Sequence, residues 1–241
     1  MKGSIWCLTW TLALSRRRLL IWNVLVPFLL LVPVVTSGAA VTHRAVVVAV
    51  FVAFFGAYGS CIPLIRDGMS GWVEKVWLTG YSGRAWLVER TVASAVIDWC
   101  QLLPVTLVLS VWAGASGPQT AALLAAMAVA LLFANLLGAL IATVVRALGE
   151  AALGCAVVSL FALHAAGVFR TAAPGSWWET VETWSPLRPL HESWISVLSA
   201  GPQPTWASAT LPIVALCGVL LLLLAAGRQL SRRIAATGSA A

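Results

Sequence analysis

The chain has 241 residues, of which 61% are hydrophobic and only 10% are charged, with a mean hydropathy of +0.94. A soluble domain has about 45–50% apolar and about 25% charged residues, so this composition excludes an ordinary soluble fold and indicates an integral membrane protein. The length suits about six spans of about 20 residues and leaves no room for a soluble domain of about 100 residues. We therefore expect an all-α membrane domain over residues 1–241, with any soluble machinery on another chain.

The N-terminal element, residues 4–18, is apolar, carries Trp6 and Trp10, and ends in three adjacent arginines at 16–18. A helix of this kind lies in the plane of the membrane interface, with its Trp rings at headgroup level and its arginines near anionic lipid. The alternative is one long tilted helix over residues 5–31. It is disfavoured because three charges in the hydrocarbon would cost about 2.5–3.5 kcal/mol each.

Apolar runs between charges and turn residues predict six transmembrane helices. They lie near residues 19–37, 45–65, 91–112, 120–145, 151–169 and 207–227. The net charge of +7 raises the question of a nucleic-acid partner. With a cytoplasmic N-terminus, however, only three of the 15 Lys and Arg residues fall outside: Arg44, Arg170 and Arg188. The charge therefore follows the positive-inside rule, and we expect both termini in the cytoplasm and no nucleic-acid partner.

The longest internal connection, residues 66–90, is neither apolar enough to span the membrane nor polar enough to be disordered. Two tryptophans and two valines recur in it at helical spacing opposite Glu74 and Lys75, which predicts an amphipathic helix of about two turns. We expect Gly80 to end this helix and Ser82 to cap the next one. A helix this short needs a covering surface. Lipid headgroups and a groove on a cytoplasmic partner both remain open.

The external segment, residues 171–208, contains five of the thirteen tryptophans and is punctuated by prolines. Two short amphipathic helices fit it, near 176–184 and 189–199. Such a density of Trp is typical of the aromatic belt at a membrane interface.

Polar groups inside the predicted spans are few. They are the ionisable residues Asp98 and His164 and the amides Gln101 and Asn135. Asp98 lies about 12 Å beyond Arg90 along the helix, and Asn135 lies at a similar depth on the fourth span. We expect a hydrogen bond between Asp98 and Asn135, which satisfies a costly buried group. A functional role and a structural clamp between helices are the two interpretations of Asp98.

The sequence predicts no catalytic, cofactor or metal site. Gly80-Tyr81-Ser82-Gly83 matches the GxSG string of intramembrane serine proteases. However, Ser82 falls in the charged loop and His164 in the outer half of a span, about 20 Å or more away. The HExxH pair, paired-carboxylate metal motifs and the GxxxxGK[ST] phosphate loop are absent, and the five cysteines have no metal-pair spacing. We therefore expect that the chain is not an enzyme and binds no cofactor itself.

The first cytoplasmic loop resembles the loop between the second and third spans of ABC-2-type transporter permeases. It reads Gly71-Trp72-Val73-Glu74-Lys75-Val76-Trp77-Leu78-Thr79-Gly80-Tyr81-Ser82-Gly83-Arg84. The matching positions are Gly71, Glu74, the apolar pair Val76-Trp77, Thr79 and Ser82. Trp72 replaces the usual Thr, and Gly80 the usual Pro. The order of elements is also similar: an interfacial helix, six spans, a structured first cytoplasmic loop and a long external stretch before the last span.

The resemblance implies that the short cytoplasmic helix is a coupling helix seated in a groove of a separate ATPase. Its candidate residues are Gly71, Trp72, Val73, Glu74, Lys75, Val76, Trp77 and Leu78. ATP and Mg would be held by two copies of that ATPase, beside a second permease chain that is either identical or a sister, in a bacterial plasma membrane. The resemblance also implies that residues 171–208 gate the outer mouth, with interfacial anchoring as the alternative.

The same resemblance implies that the first, second and fifth spans line the pathway. The candidates for the pathway and its gate are Phe51, Phe54, Phe55, Phe161 and His164. Phe54 and Phe55 cannot both point the same way on one helix. We expect an exporter of a hydrophobic or amphipathic substrate such as a drug, an antibiotic or a peptide. A lipid or polysaccharide exporter and an ion-gradient-driven carrier are the alternatives, although the single buried acid and the lack of an inverted repeat disfavour the carrier.

Overall fold

The computed structural model describes residues 5–15, 17–199 and 206–236, and every regular element in these ranges is an α-helix. The helices are α1 (Ile5–Ser15), α2 (Arg17–Thr36), α3 (Val41–Met69), α4 (Trp72–Leu78), α5 (Gly83–Trp112), α6 (Gly117–Ala142), α7 (Leu148–Ala165), α8 (Trp177–Trp184), α9 (Arg188–Ser199) and α10 (Trp206–Ala235). The all-α fold that the composition predicts is confirmed.

Among the described residues, five helices have the length and composition to cross a membrane: α3, α5, α6, α7 and most of α10. Helices α1 and α2 meet the same criterion only as a pair, bent by 72° at their junction, which brings the count to as many as six. This count fits a multi-pass membrane protein. Parts of two predicted elements lie outside the described residues: positions 4 and 16 of the N-terminal element, and positions 200–205 of the external segment.

Helices α3 and α5 are longer than the predicted spans at 45–65 and 91–112. They contain 29 and 30 residues, or about 45 Å at about 1.5 Å per residue, against a hydrocarbon core of about 30 Å. The predicted spans stop at charges such as Arg66 and Arg90, whereas the helices continue through them. The connection between these two helices therefore narrows to residues 70–82, which include α4.

The centre of the bundle is the close packing of α3 against α6. Small residues recur at every fourth position of α6 and are buried: Ala126, Ala130, Ala134, Gly138 and Ala142. A Cβ atom on Gly138 would lie 2.2 Å from the carbonyl oxygen of Ala57, and one on Gly56 would lie 2.8 Å from the Cβ of Ala134. Small residues at the contact between two transmembrane helices allow their backbones to approach closely in this way.

The two ends of the bundle differ in chemistry. One end carries α4, Arg66 of α3, and the arginines of α5 and of the last turns of α10, and we call it the basic end. The other end carries α8 and α9, and we call it the tryptophan end. Its tryptophans in those helices are Trp177, Trp178, Trp184 and Trp194. Each end has its own buried core, formed around Trp86 and Ile65 at the basic end and around Trp194 and Leu187 at the tryptophan end.

The α3–α6 contact predicts that Gly138→Ala destabilises the protein. The added methyl group would meet the backbone of Ala57, and overpacking of this kind costs about 1–3 kcal/mol. The measurement is the thermal unfolding of the purified protein in detergent. The matched control is Gly218→Ala in α10, where a Cβ meets nothing within 4 Å, so the better helix propensity of Ala leaves stability equal or raised. Equal effects of the two changes would contradict the packing argument.

Candidate functional site

A cavity of about 610 Å³ lies between α1, α2, α3 and α5. It runs from the basic end, where Arg66, Asp67 and Arg90 line it, to Gln101 and Phe51 inside the bundle. Sites for small molecules have volumes of about 300–1,000 Å³ and combine apolar walls with a few polar groups. This cavity has both properties, and we take it as the candidate functional site.

An ion pair at the mouth of the cavity joins three helices. The Nε of Arg90 donates to Oδ2 of Asp67 at 3.0 Å, and Nη1 of Arg90 donates to Oγ1 of Thr9 at 3.3 Å. The side chains of Arg90 and Asp67 are 14% and 21% exposed, so solvent screens this pair less than one on the surface. The mouth is thereby held together by α1, α3 and α5.

Deeper in the cavity wall, a buried polar network links α3, α5 and α6. Nδ2 of Asn135 donates to Oδ2 of Asp98 at 2.9 Å, and Oγ of Ser60 donates to Oδ1 of Asn135 at 2.5 Å. The predicted hydrogen bond between Asp98 and Asn135 is therefore confirmed. Ser60 was not predicted from the sequence. It lies on α3 one turn after Gly56 and so on the face that meets α6.

Space for the Asp98 carboxylate is provided by Gly59 of α3. A Cβ atom on Gly59 would lie 2.1 Å from Oδ2 of Asp98, so a larger residue there would displace the carboxylate. Gln101 follows Asp98 by three residues and lies on the same face of α5. Both side chains are 6% exposed and both line the cavity. Oε1 of Gln101 is buried and accepts no hydrogen bond from any described residue.

The predicted pathway residues of α3 meet at this cavity. Phe51, Phe54 and Phe55 all line it, even though Phe54 and Phe55 point in different directions, because the cavity is wide enough to reach both. The rings of Phe51 and Phe55 are stacked with centroids 5.6 Å apart, and those of Phe54 and Tyr58 lie 6.3 Å apart. The wall that α3 contributes to the cavity is thus aromatic.

The predicted pathway residues of α7 lie elsewhere. Phe161 is 66% exposed and lines a second, apolar cavity of about 610 Å³ between α6, α7, α8 and α10, together with Trp177. The ring of His164 lies 5.7 Å from that of Trp178. Within this single chain, Phe161 and His164 therefore do not share a site with the phenylalanines of α3.

Helix α4 is anchored on one face and exposed on the other. Val73 and Val76 are buried in the core of the basic end, whereas Leu78 is 88% exposed and Trp72 is 37% exposed. Glu74 and Lys75 are also exposed. The sequence predicts that both tryptophans and both valines share one covered face of α4. This is only partly so, because Trp77 is half-buried and Trp72 faces outward.

The turn that follows α4 is strongly specified. Gly80 has a φ of +79°, in the left-handed region that favours glycine, and the backbone N–H of Ala85 donates to Oγ of Ser82 at 3.1 Å. The predicted roles of Gly80 as the end of α4 and of Ser82 as the N-cap of α5 are confirmed. The hydroxyl of Tyr81 donates to the carboxylate of Glu89. Burial and this hydrogen bond raise the pKa of Tyr81 to about 12.

Two short helices at the tryptophan end match the prediction for the external segment. Helix α8 begins after Ser176, whose Oγ accepts from the N–H of Glu179. Helix α9 packs across α3 and α6 and buries Trp194. Burial lowers the pKa of His191 on α9, and the charge of Glu192 opposes this shift. Among the described residues, no three His, Cys, Asp or Glu side chains group closely enough to hold a metal ion.

The buried network predicts that Asn135→Leu destabilises the protein. The change removes the partner of both Asp98 and Ser60, and leaving buried polar groups unsatisfied costs about 1–3 kcal/mol each. Thermal unfolding in detergent measures the loss. Ser159→Ala is the control, because Ser159 is equally buried but makes only a long contact of 3.5 Å to a carbonyl oxygen. A loss no larger than that of the control would show that the network does not stabilise the fold.

The lowered pKa of His191 predicts a pH dependence of stability. As the pH falls below the ordinary His value of about 6.5, the unfolded chain takes up the proton before the folded one, so stability is lost. We expect the unfolding temperature to fall between pH 7 and pH 5, and to fall less in His191→Gln. His43→Gln, which removes an exposed histidine, should leave the wild-type slope unchanged. An identical slope in both variants would contradict the burial argument.

Comparison with known proteins does not assign this chain to a family. No protein-family model matches the sequence, no curated protein matches it, and no solved structure matches it. Three features of the chain itself therefore bear on its function: the cavity, the network around Asp98, and the exposed face of α4.

Proposed function

We propose that the chain is the membrane-spanning permease subunit of an ABC-2-type exporter, which moves a hydrophobic or amphipathic substrate out of a bacterial cell. ATP is hydrolysed by a separate ATPase, present in two copies, that docks on α4. The observation that carries the proposal is α4 itself: a short helix, anchored on one face, with apolar side chains exposed at the charged end of a membrane bundle.

A partner protein would cover the exposed face of α4. Seven residues are too few for a stable isolated helix, and α4 is held in place because Val73 and Val76 pack into the core. Its outward face then presents Leu78 and Trp72 beside the charges of Glu74 and Lys75. An apolar centre with charged neighbours is the composition of a protein interface, in which aromatic anchors contribute most of the binding energy.

The position of α4 supports a coupling role. It contacts α3, α5 and α10, and α3 and α5 form two walls of the cavity. A push on α4 by an ATPase would therefore act on the helices that shape the site. The cavity reaches the same end of the bundle, where Arg66 and Arg90 line it. By the positive-inside rule this end faces the cytoplasm, where ATP and the substrate of an exporter are found.

The packing of the peripheral helices supports a second permease chain, identical or a sister. In α7 and in α10, only 22% of the apolar stretch that could cross the membrane is buried within the chain. Phe161 lies on this loosely packed side, in the cavity near the tryptophan end. In the proposed assembly, lipid or the second chain covers this face. Phe161 contributes to the pathway only where the second chain covers it.

The buried carboxyl group of Asp98 favours one other candidate, a carrier driven by an ion gradient. An ionisable group in a membrane cavity is a common element of proton relays. In this chain Asp98 is also a clamp between helices, since Asn135 donates to it. The energy source distinguishes the two functions: ATP supports the exporter, and a proton gradient supports the carrier.

The proposal predicts that Leu78→Asp strongly weakens binding of the ATPase. Leu78 is the most exposed apolar residue of α4, and a charge at the centre of an interface is expected to weaken binding by about 2–4 kcal/mol, or about 30-fold or more. The measurement is co-purification of the soluble ATPase with the tagged chain from its native host.

The matched control is Val144→Asp. Val144 is 74% exposed and lies at the same end of the bundle, between α6 and α7, but not on α4. It should retain the ATPase. If no ATPase co-purifies with the wild-type chain, or if Leu78→Asp and Val144→Asp retain it equally, the docking role of α4 is refuted.

A further inference from the structure

We propose that the cavity between α1, α2, α3 and α5 binds the cationic, N–H-donating headgroup of an amphipathic molecule, with Asp98 and Gln101 as its acceptors. This inference deepens the proposed function, because it names the substrate class of the same permease. It rests on a juxtaposition inside the bundle: two buried acceptors on one face of α5 opposite an aromatic wall on α3.

Two acceptors in the inner part of the cavity can take further hydrogen bonds. Asp98 and Gln101 are separated by three residues and share one face of α5. Asp98 receives one hydrogen bond, from the neutral amide of Asn135, and Oε1 of Gln101 receives none from the described residues. A ligand that carries N–H donors satisfies both groups, and buried polar groups are satisfied in nearly all folded proteins.

The carboxyl group of Asp98 has no cation beside it in the described wall. Among the described residues, the cations that line the cavity are Arg66 and Arg90. Arg90 lies two turns before Asp98, about 12 Å along α5, and its guanidinium is paired with Asp67 at the mouth. A positive ligand would therefore stabilise the ionised form of Asp98, whereas an anionic ligand would disfavour it.

The aromatic wall suits the same class of ligand. Phe51, Phe54, Phe55 and Tyr58 line the cavity on α3. Aromatic faces attract cations through their quadrupoles and cover the apolar body of an amphipathic molecule. The cavity volume of about 610 Å³ lies within the range of drug-sized ligands. Charge, hydrogen bonding and apolar surface therefore all favour a lipophilic cation.

The test uses the full chain, purified without any ATPase and reconstituted in lipid nanodiscs. The probe is rhodamine 6G, a xanthene cation with two N–H donors, and the comparison ligand is fluorescein, a xanthene anion. Binding is measured by fluorescence anisotropy, with empty nanodiscs subtracted. We expect saturable binding of rhodamine 6G and at least about tenfold weaker binding of fluorescein, as expected when a buried charge has the wrong partner.

Three variants locate the binding. Asp98→Asn removes the charge but keeps the size and should weaken rhodamine 6G binding about tenfold or more. Gln101→Leu removes the acceptor that has no partner among the described residues, so it should fold normally and weaken binding by about threefold or more. Glu182→Gln removes a buried carboxylate at the tryptophan end, outside this cavity, and should bind like the wild type.

Equal affinity for the two dyes, or unchanged rhodamine 6G affinity in folded Asp98→Asn or Gln101→Leu, overturns the proposal. If Asp98→Asn fails to fold, Gln101→Leu decides alone, because its side chain is outside the hydrogen-bonded network. The assay contains no ATPase, so its outcome is independent of the docking experiment. Dye binding without ATPase docking would refute the exporter but retain the site, and docking without selective dye binding would do the reverse.

Discussion

The requirement that a carboxyl group inside an apolar bundle be hydrogen-bonded determines how the centre of this protein packs. Asn135 meets that requirement by donating to Asp98 while it accepts from Ser60, which joins α5, α6 and α3 through one amide. The three helices can approach only because Gly59 leaves room for the carboxylate and Gly138 leaves room for the backbone of α3. The hydrogen bonds of the buried polar groups and the close packing at small residues therefore depend on each other.

The same arrangement creates the candidate site. Helices α3 and α5 are held together at the level of Asp98. With α1 and α2 they enclose a cavity, and the ion pair of Arg90 and Asp67 braces its mouth. Both helices then continue beyond the hydrocarbon to α4. A force applied at the exposed face of α4 would be transmitted along rigid helices to the cavity. This continuity is the physical basis of the proposed coupling between a separate ATPase and transport.

Local patterns in the sequence predicted the elements that depend on local interactions. The short helix α4, the cap at Ser82 and the two helices near 176–184 and 189–199 follow from capping residues and helical periodicity, and all are present. The contact of Asp98 with Asn135 was predicted from equal depth in the membrane.

Gly59, Ser60 and the separation of Phe161 from the α3 phenylalanines were not predicted, because they depend on which helices become neighbours. The spacing of small residues in α6 was the available signal for that contact. The spans predicted at 45–65 and 91–112 were shorter than α3 and α5, because these helices continue through charged residues beyond the apolar stretches.

The central claim, a permease driven by a separate ATPase, is tested most directly by the energy source of transport. Inverted membrane vesicles that contain the chain and its co-purifying ATPase would be incubated with rhodamine 6G, and uptake of the dye would be followed with ATP in the presence of a protonophore. The account predicts uptake that requires hydrolysable ATP and persists when the proton gradient is abolished. Uptake that collapses with the proton gradient and continues without ATP would contradict it.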